Sequence, residues 1–280
     1  MTDFTTFLDQ IPGVSAAPKD TERGVVEILG FAIIFAAIII GVILVYTNGL
    51  GALFQVQYGM QANAGEQVMV AMAENIDSVV EQKAPKKQIE LNLQAVSFGT
   101  LATSNYEVEV TDASDTTVGY TEFESQELQY RPENKLDYEV PETTFNYMAG
   151  AVIRQDDEHQ YMVSEPPFTF TDTDAHLSLV ELNGATASGG GSHASVLMSQ
   201  TDHQMVNTPT SGDATVRIKI QTSRLKAQAW NQYFQQYVND PGVDMVEKPQ
   251  NSPISGVVAY EYTGESVVVQ KTGIDVEIND

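Results

Sequence analysis

The chain contains no cysteine. That absence excludes structural disulfides, thiolate catalysis, and zinc or iron–sulfur centres held by sulfur. Basic residues are also scarce: Lys and Arg total 14 against 38 Asp and Glu, a formal net charge of −24. The densest basic group, Lys83, Lys86 and Lys87, is too small for a phosphate-binding patch, which argues against nucleic acid as a partner. Neither a Gly-X-Ser-X-Gly nucleophile elbow nor a His-Glu-X-X-His zinc motif occurs. The glycine-rich stretch Ser188–Ser192 lacks the lysine and the strand–helix setting of a phosphate loop. Together these omissions argue against an enzyme, and no cofactor is implied.

What is present begins with the acidic residues, which are spread along the chain rather than gathered in a tail. Hydrophobic residues make up 42% of the chain, enough for a proper core. Spread acidity fits a halophile protein, because at about 1 M salt the screening length falls to about 3 Å and self-repulsion nearly vanishes. It also fits an ordinary acidic exoprotein. The scarcity of lysine favours the first.

From Ile28 to Gly65 no charged residue occurs, and Ile28 to Tyr46 is almost purely apolar. At 1.5 Å per residue that core spans roughly 28 Å, close to the hydrocarbon thickness of a bilayer. A signal peptide usually has a shorter apolar core and a small-residue cleavage site, and Tyr46-Thr47-Asn48-Gly49 is a poor one. Apolar residues continue at helical spacing through Leu53, Val56, Met60, Ala64, Val68, Met72, Ile76, Val79 and Val80, until Pro85 stops the helix. Gly30, Gly41, Gly49, Gly51, Gly59 and Gly65 would let other helices pack closely against it. Lys19 and Arg23 just before the apolar run fit a cytoplasmic start.

The segment from Glu22 to Phe31 (ERGVVEILGF) resembles the start of archaeal type IV pilin-like proteins, haloarchaeal ones above all. The resemblance implies a polar leader over residues 1–24, removed by a prepilin peptidase between Gly24 and Val25, with Arg23 as the basic residue before the cut. It implies that Glu27 sets the register of the helix against a neighbouring subunit. Glu27 would be the third mature residue, where the bacterial pattern places the acid fifth, so the cut could fall a residue or two earlier. A strand from Val216 running into a helix around Ala229-Trp230 is similar to the distal part of haloarchaeal pilin-like proteins.

From Gln88 the apolar period changes to two. Ile89, Leu91, Leu93 and Ala95 alternate with polar residues, as do Tyr106–Val110, Val216–Ile220 and Ile274–Ile278. Such alternation predicts half-buried antiparallel strands. Further strands are predicted at 120–130, 145–154, 160–163, 168–171, 176–182, 194–198, 257–262 and 267–271, separated by turn signals such as Asp112–Asp115. One amphipathic helix over 224–238 presents Leu225, Ala229, Trp230, Tyr233, Phe234, Tyr237 and Val238, with Thr222 or Ser223 as its cap. Residues 186–213 read as a flexible Gly/Ser/Thr-rich insertion.

Asp172, Asp174 and His176 alternate and would face one way on a strand, a weak candidate for a cation site. Asp156, Asp157, Glu158 and His159 form a second acidic–His group, while His193 and His203 fall in the predicted insertion. The fold class expected is α+β: a long N-terminal hydrophobic helix over 25–84, then a mostly antiparallel β-sandwich over 85–280 with one short amphipathic helix. The reading that follows is a single-pass, extracytoplasmic pilin-like subunit, assembling with copies of itself or related pilins into a cell-surface filament. Its rival is a membrane-anchored surface protein that never polymerises and binds a ligand through its β-domain.

Overall fold

The computed structural model describes residues 19–81, 84–92, 96–133, 142–157, 159–184, 193–207 and 212–279, without the side chains of 19–25, 47–52 and 101. The predicted leader before residue 19 and the Ser188–Ser192 stretch therefore lie outside the described residues, and Gly49 and Gly51 are described only as helical backbone. The chain divides into two compact units, one ending at Gln55 and the other beginning at Val56.

Helix α1 runs 62 residues, Lys19–Val80. It starts six residues before the predicted position 25, because Lys19 to Gly24 holds no proline or β-branched run strong enough to break it. A hydrogen bond from the Glu81 amide to the Asp77 carbonyl closes its last turn, ahead of Pro85.

The β-domain holds strands β1 (Lys86–Asn92), β2 (Val96–Thr111), β3 (Thr117–Pro132), β4 (Thr143–Met148), β5 (Ala151–Asp156), β6 (His159–Ser164), β7 (Phe168–Phe170), β8 (Asp174–Gly184), β9 (His193–Met205) and β10 (Ala214–Gln221). Helix α2 (Arg224–Val238) follows, then β11 (Met245–Glu247), β12 (Val257–Gly264) and β13 (Ser266–Asn279). They build two sheets, in the orders β1-β9-β13-β8-β7 and β11-β12-β10-β2-β3-β4-β5-β6. Every pairing is antiparallel except β13 with β8. The α+β class stands as expected.

Two predicted segments change character. The stretch 145–154 is not one strand but two, because Ala149 and Gly150 both adopt positive φ (48° and 92°) and turn β4 tightly into β5. The insertion expected at 186–213, flexible but for a short strand at 194–198, holds that strand lengthened to β9, paired with β1 on one side and β13 on the other. Its alternation of buried Ala194, Val196 and Met198 with half-exposed neighbours outweighs the surrounding Ser and Gly content. His203, expected in a mobile loop, sits in β9 with its Nδ1 at 3.0 Å from the Thr272 hydroxyl.

Two hydrophobic cores lie between the sheets. One gathers α2 through Trp230 and Phe234 with Tyr106, Val216, Phe170 and Val267. The other gathers the end of α1 through Met69, Met72, Ile76 and Val79 with Phe98, Tyr147, Val180, Val196 and Ile274. The 16-residue strands β2 and β3 are long enough to serve both. Between the cores runs a belt of buried polar groups, Ser104, Ser125 and Glu127.

Candidate functional site

Val26–Tyr46, 21 residues of α1, is apolar and long enough to cross a membrane. At 1.5 Å per residue it spans about 32 Å. None of it is buried within the chain. Its large side chains stand open, from 42% exposed at Ile39 to 72% at Phe31 and Val45. Phe31 and Phe35 stack one turn apart, with ring centroids 6.1 Å from each other. So much apolar surface in water is unfavourable at about 25 cal/mol per Å², so the segment is built for a non-aqueous neighbour. It suits a membrane anchor or a signal sequence.

From Val56 onward the helix has a partner in its own chain. Ala62, Gly65, Met69, Met72, Ala73, Ile76, Val79 and Val80 turn one stripe inward. The sequence predicted the stripe through Met60 and Ala64, and these are exposed. The stripe sits about two residues further on because Ala62 and Gly65 are small enough for the sheet to approach closely. A Cβ on Gly65 would overlap the Tyr130 ring and press on Phe145. Gly65, expected to face other helices, thus packs against its own β-domain. Gly30, Gly41 and Gly59 have open space where a Cβ would stand.

Polar contacts fasten the same segment. The Thr143 amide donates to the Tyr58 hydroxyl at 2.7 Å. Arg154 of β5 donates to Glu66 at 3.0 Å and to Asp156 at 2.8 Å, and its guanidinium lies over the Phe145 ring. Helix α2 fastens differently. Lys226 pairs with Glu127 of β3, their side chains 8% and 2% exposed. Glu127 also accepts from Ser104 at 2.5 Å. Ser223 takes the predicted cap position in extended conformation, but its side chain makes no capping bond. Lys226 was missed in the sequence, yet its spacing from Trp230 and Tyr233 puts it on the apolar face of the helix.

On the large sheet, a cleft of about 440 Å³ is lined by Glu107, Arg217, Lys219, Lys248 and Tyr260 among others. Its charges are matched within the chain. Lys219 meets Glu107 at 2.7 Å, and Glu261 receives Arg217 at 2.6 Å and Lys248 at 3.0 Å. Burial opposes ionisation of Glu261, but the Arg217 and Lys248 hydrogen bonds outweigh it and hold its carboxyl below the ordinary value.

Residues 23–277 match a single family of unknown function. The chain belongs to DUF7289. The match takes in the apolar helix and nearly the whole β-domain, so the membrane-length segment is part of what DUF7289 comprises. No curated protein matches the chain.

The residues singled out in the sequence are scattered in this DUF7289 chain. Arg23, Gly24 and Val25 lie in helical backbone, with side chains outside the described residues. Glu27 is exposed, one residue into the apolar span. Asp174 and His176 share the outward face of β8, whereas Asp172 lies in the bend before it. Asp156 is engaged by Arg154, and His159 begins β6. Among the described residues no group of three His, Asp or Glu side chains is placed to hold a metal ion.

Proposed function

We propose that this chain is a structural subunit of an archaeal type IV pilus-like filament on the cell surface, assembled through its N-terminal helix. The observation that carries the reading is the contrast along α1. Val26–Tyr46 is nowhere buried among the described residues, while Met69, Met72, Ile76 and Val79 are locked into the β-domain core. The first compact unit thus offers an exposed apolar helix, and the second is folded on its own core. In this reading copies of that helix leave the bilayer and pack together, driven by burial of apolar surface, and the acidic β-domains face the solvent. Glu27, alone among apolar neighbours, sets the register by pairing with a neighbour's freed amino terminus.

Leader removal is the first step. The Gly24–Val25 bond lies in helical backbone near the start of α1. Helix ends fray, so a peptidase needs only the first turns to unwind. N-terminal sequencing of the protein from its own envelope tests this. A start at Val25, or within two residues of it, is the expected result. An intact start near Met1 would leave the second reading, a single-pass surface protein that binds a ligand. The cleft over Arg217, Lys219 and Lys248 is the feature that favours that alternative.

A further inference from the structure

The last turns of α1 carry a charge arrangement that the filament reading does not use. Ile76 and Val79 are fully buried in the core shared with Tyr147 of β4. Asp77 lies between them. Its Oδ1 is shielded from solvent with no hydrogen-bond partner, and the Tyr147 hydroxyl is in the same condition. Asp77 acts on it electrostatically: burial first, and then the Asp77 charge, hold the Tyr147 phenol in its neutral form. Glu74 and Glu81, three residues before and four after, place two more carboxyls on the same side of the helix. The site also falls at the C-terminal end of a helix, where the backbone dipole disfavours negative charge.

We propose that Asp77 is a proton-operated latch: protonated, it holds the last two turns of α1 against the sheets, and ionised, it loosens them. The charged groups acting on it are Glu81 and Glu74 from its own helix, and Asp77 in turn acts on Tyr147 of β4. Burial, then Glu81, then Glu74 push its carboxyl from 3.8 up to about 6. An acid whose folded-state value lies above its unfolded value favours folding in the protonated form. That stabilisation is complete below about 3.8 and is lost as pH rises through about 6. Glu261, whose carboxyl is held below its ordinary value, responds in the opposite sense, so the latch is read locally, at 74–81, rather than in global stability.

Hydrogen exchange of the full chain in detergent micelles, read as protection factors for amides 77–81 at pH 5 and pH 8, tests this. The wild type should lose protection there by roughly tenfold or more on going to pH 8, while amides of α2 hold theirs. Asp77→Asn, a neutral isostere of the protonated acid, should keep its protection at both values. Flat protection in the wild type overturns the proposal. So does an equal loss in Asp77→Asn, which would assign the effect to histidines, and so does a failure of that variant to fold.

Discussion

Lys226 of α2 and Glu127 of β3 form an ion pair in the polar belt between the two cores, and both side chains are almost wholly removed from solvent. Burying two charges is costly, and the cost is offset only while both are present. Lys226→Met would leave the Glu127 carboxylate buried beside only Ser104 and Thr222. It should lower stability by about 3–5 kcal/mol, and the double change Lys226→Met, Glu127→Leu should recover most of that loss. Denaturant unfolding followed through Trp230, the chain's one tryptophan and fully buried, measures both. A single variant as stable as the wild type would sink the assignment.

Gly65 and Gly59 stand six residues apart on α1 and should respond oppositely to alanine. At Gly65 the added carbon meets Tyr130 and Phe145. The overpacking should cost about 1–3 kcal/mol. At Gly59 the space is open. There the better helix propensity should add up to about 1 kcal/mol. Thermal melts of the two variants side by side decide the matter, and equal shifts would contradict the packing described.

Arg217 is the hub of the charges on the large sheet, reaching Glu261, Glu109 and Asp115 from a position 39% exposed. Partly exposed pairs of this kind contribute little, so Arg217→Ala should cost no more than about 1 kcal/mol in dilute buffer. The cost should shrink further near 1 M salt, where the screening length is about 3 Å. Unfolding midpoints at the two salt concentrations give the answer. A loss that grows with salt would mean that the guanidinium acts through packing instead.

Ile39 lies near the middle of the exposed apolar span. An aspartate there should weaken insertion by roughly 2.5–3.5 kcal/mol, as for charges at the centre of a membrane helix. Fractionation of cells producing Ile39→Asp should show a marked shift from membrane to soluble fractions, and Met60→Asp, in the second compact unit, should show none. If both variants fractionate alike, the span does not govern localisation.

Much of this fold was readable along the chain. The almost purely apolar run Ile28–Tyr46 forces a helix of membrane-crossing length, because nothing in it is polar enough to prefer water. The strict alternation at Tyr106–Val110 and Val216–Ile220 forces half-buried strands, and the spacing of Trp230, Tyr233 and Phe234 forces an amphipathic helix. These signals are local, set by the period of the backbone. The residues that couple distant segments were not readable. Gly65 fits because Tyr130, far along the chain, lies against it. Lys226 is tolerated in a core only because Glu127 faces it, and the shielding of the Asp77 Oδ1 is set by what packs on α1 from elsewhere in the chain. The sequence by itself determined which stretches would be helix, strand and apolar rod. Only the tertiary structure decided which of those surfaces the chain covers for itself and which it leaves open, because burial is a property of what arrives from elsewhere in the chain.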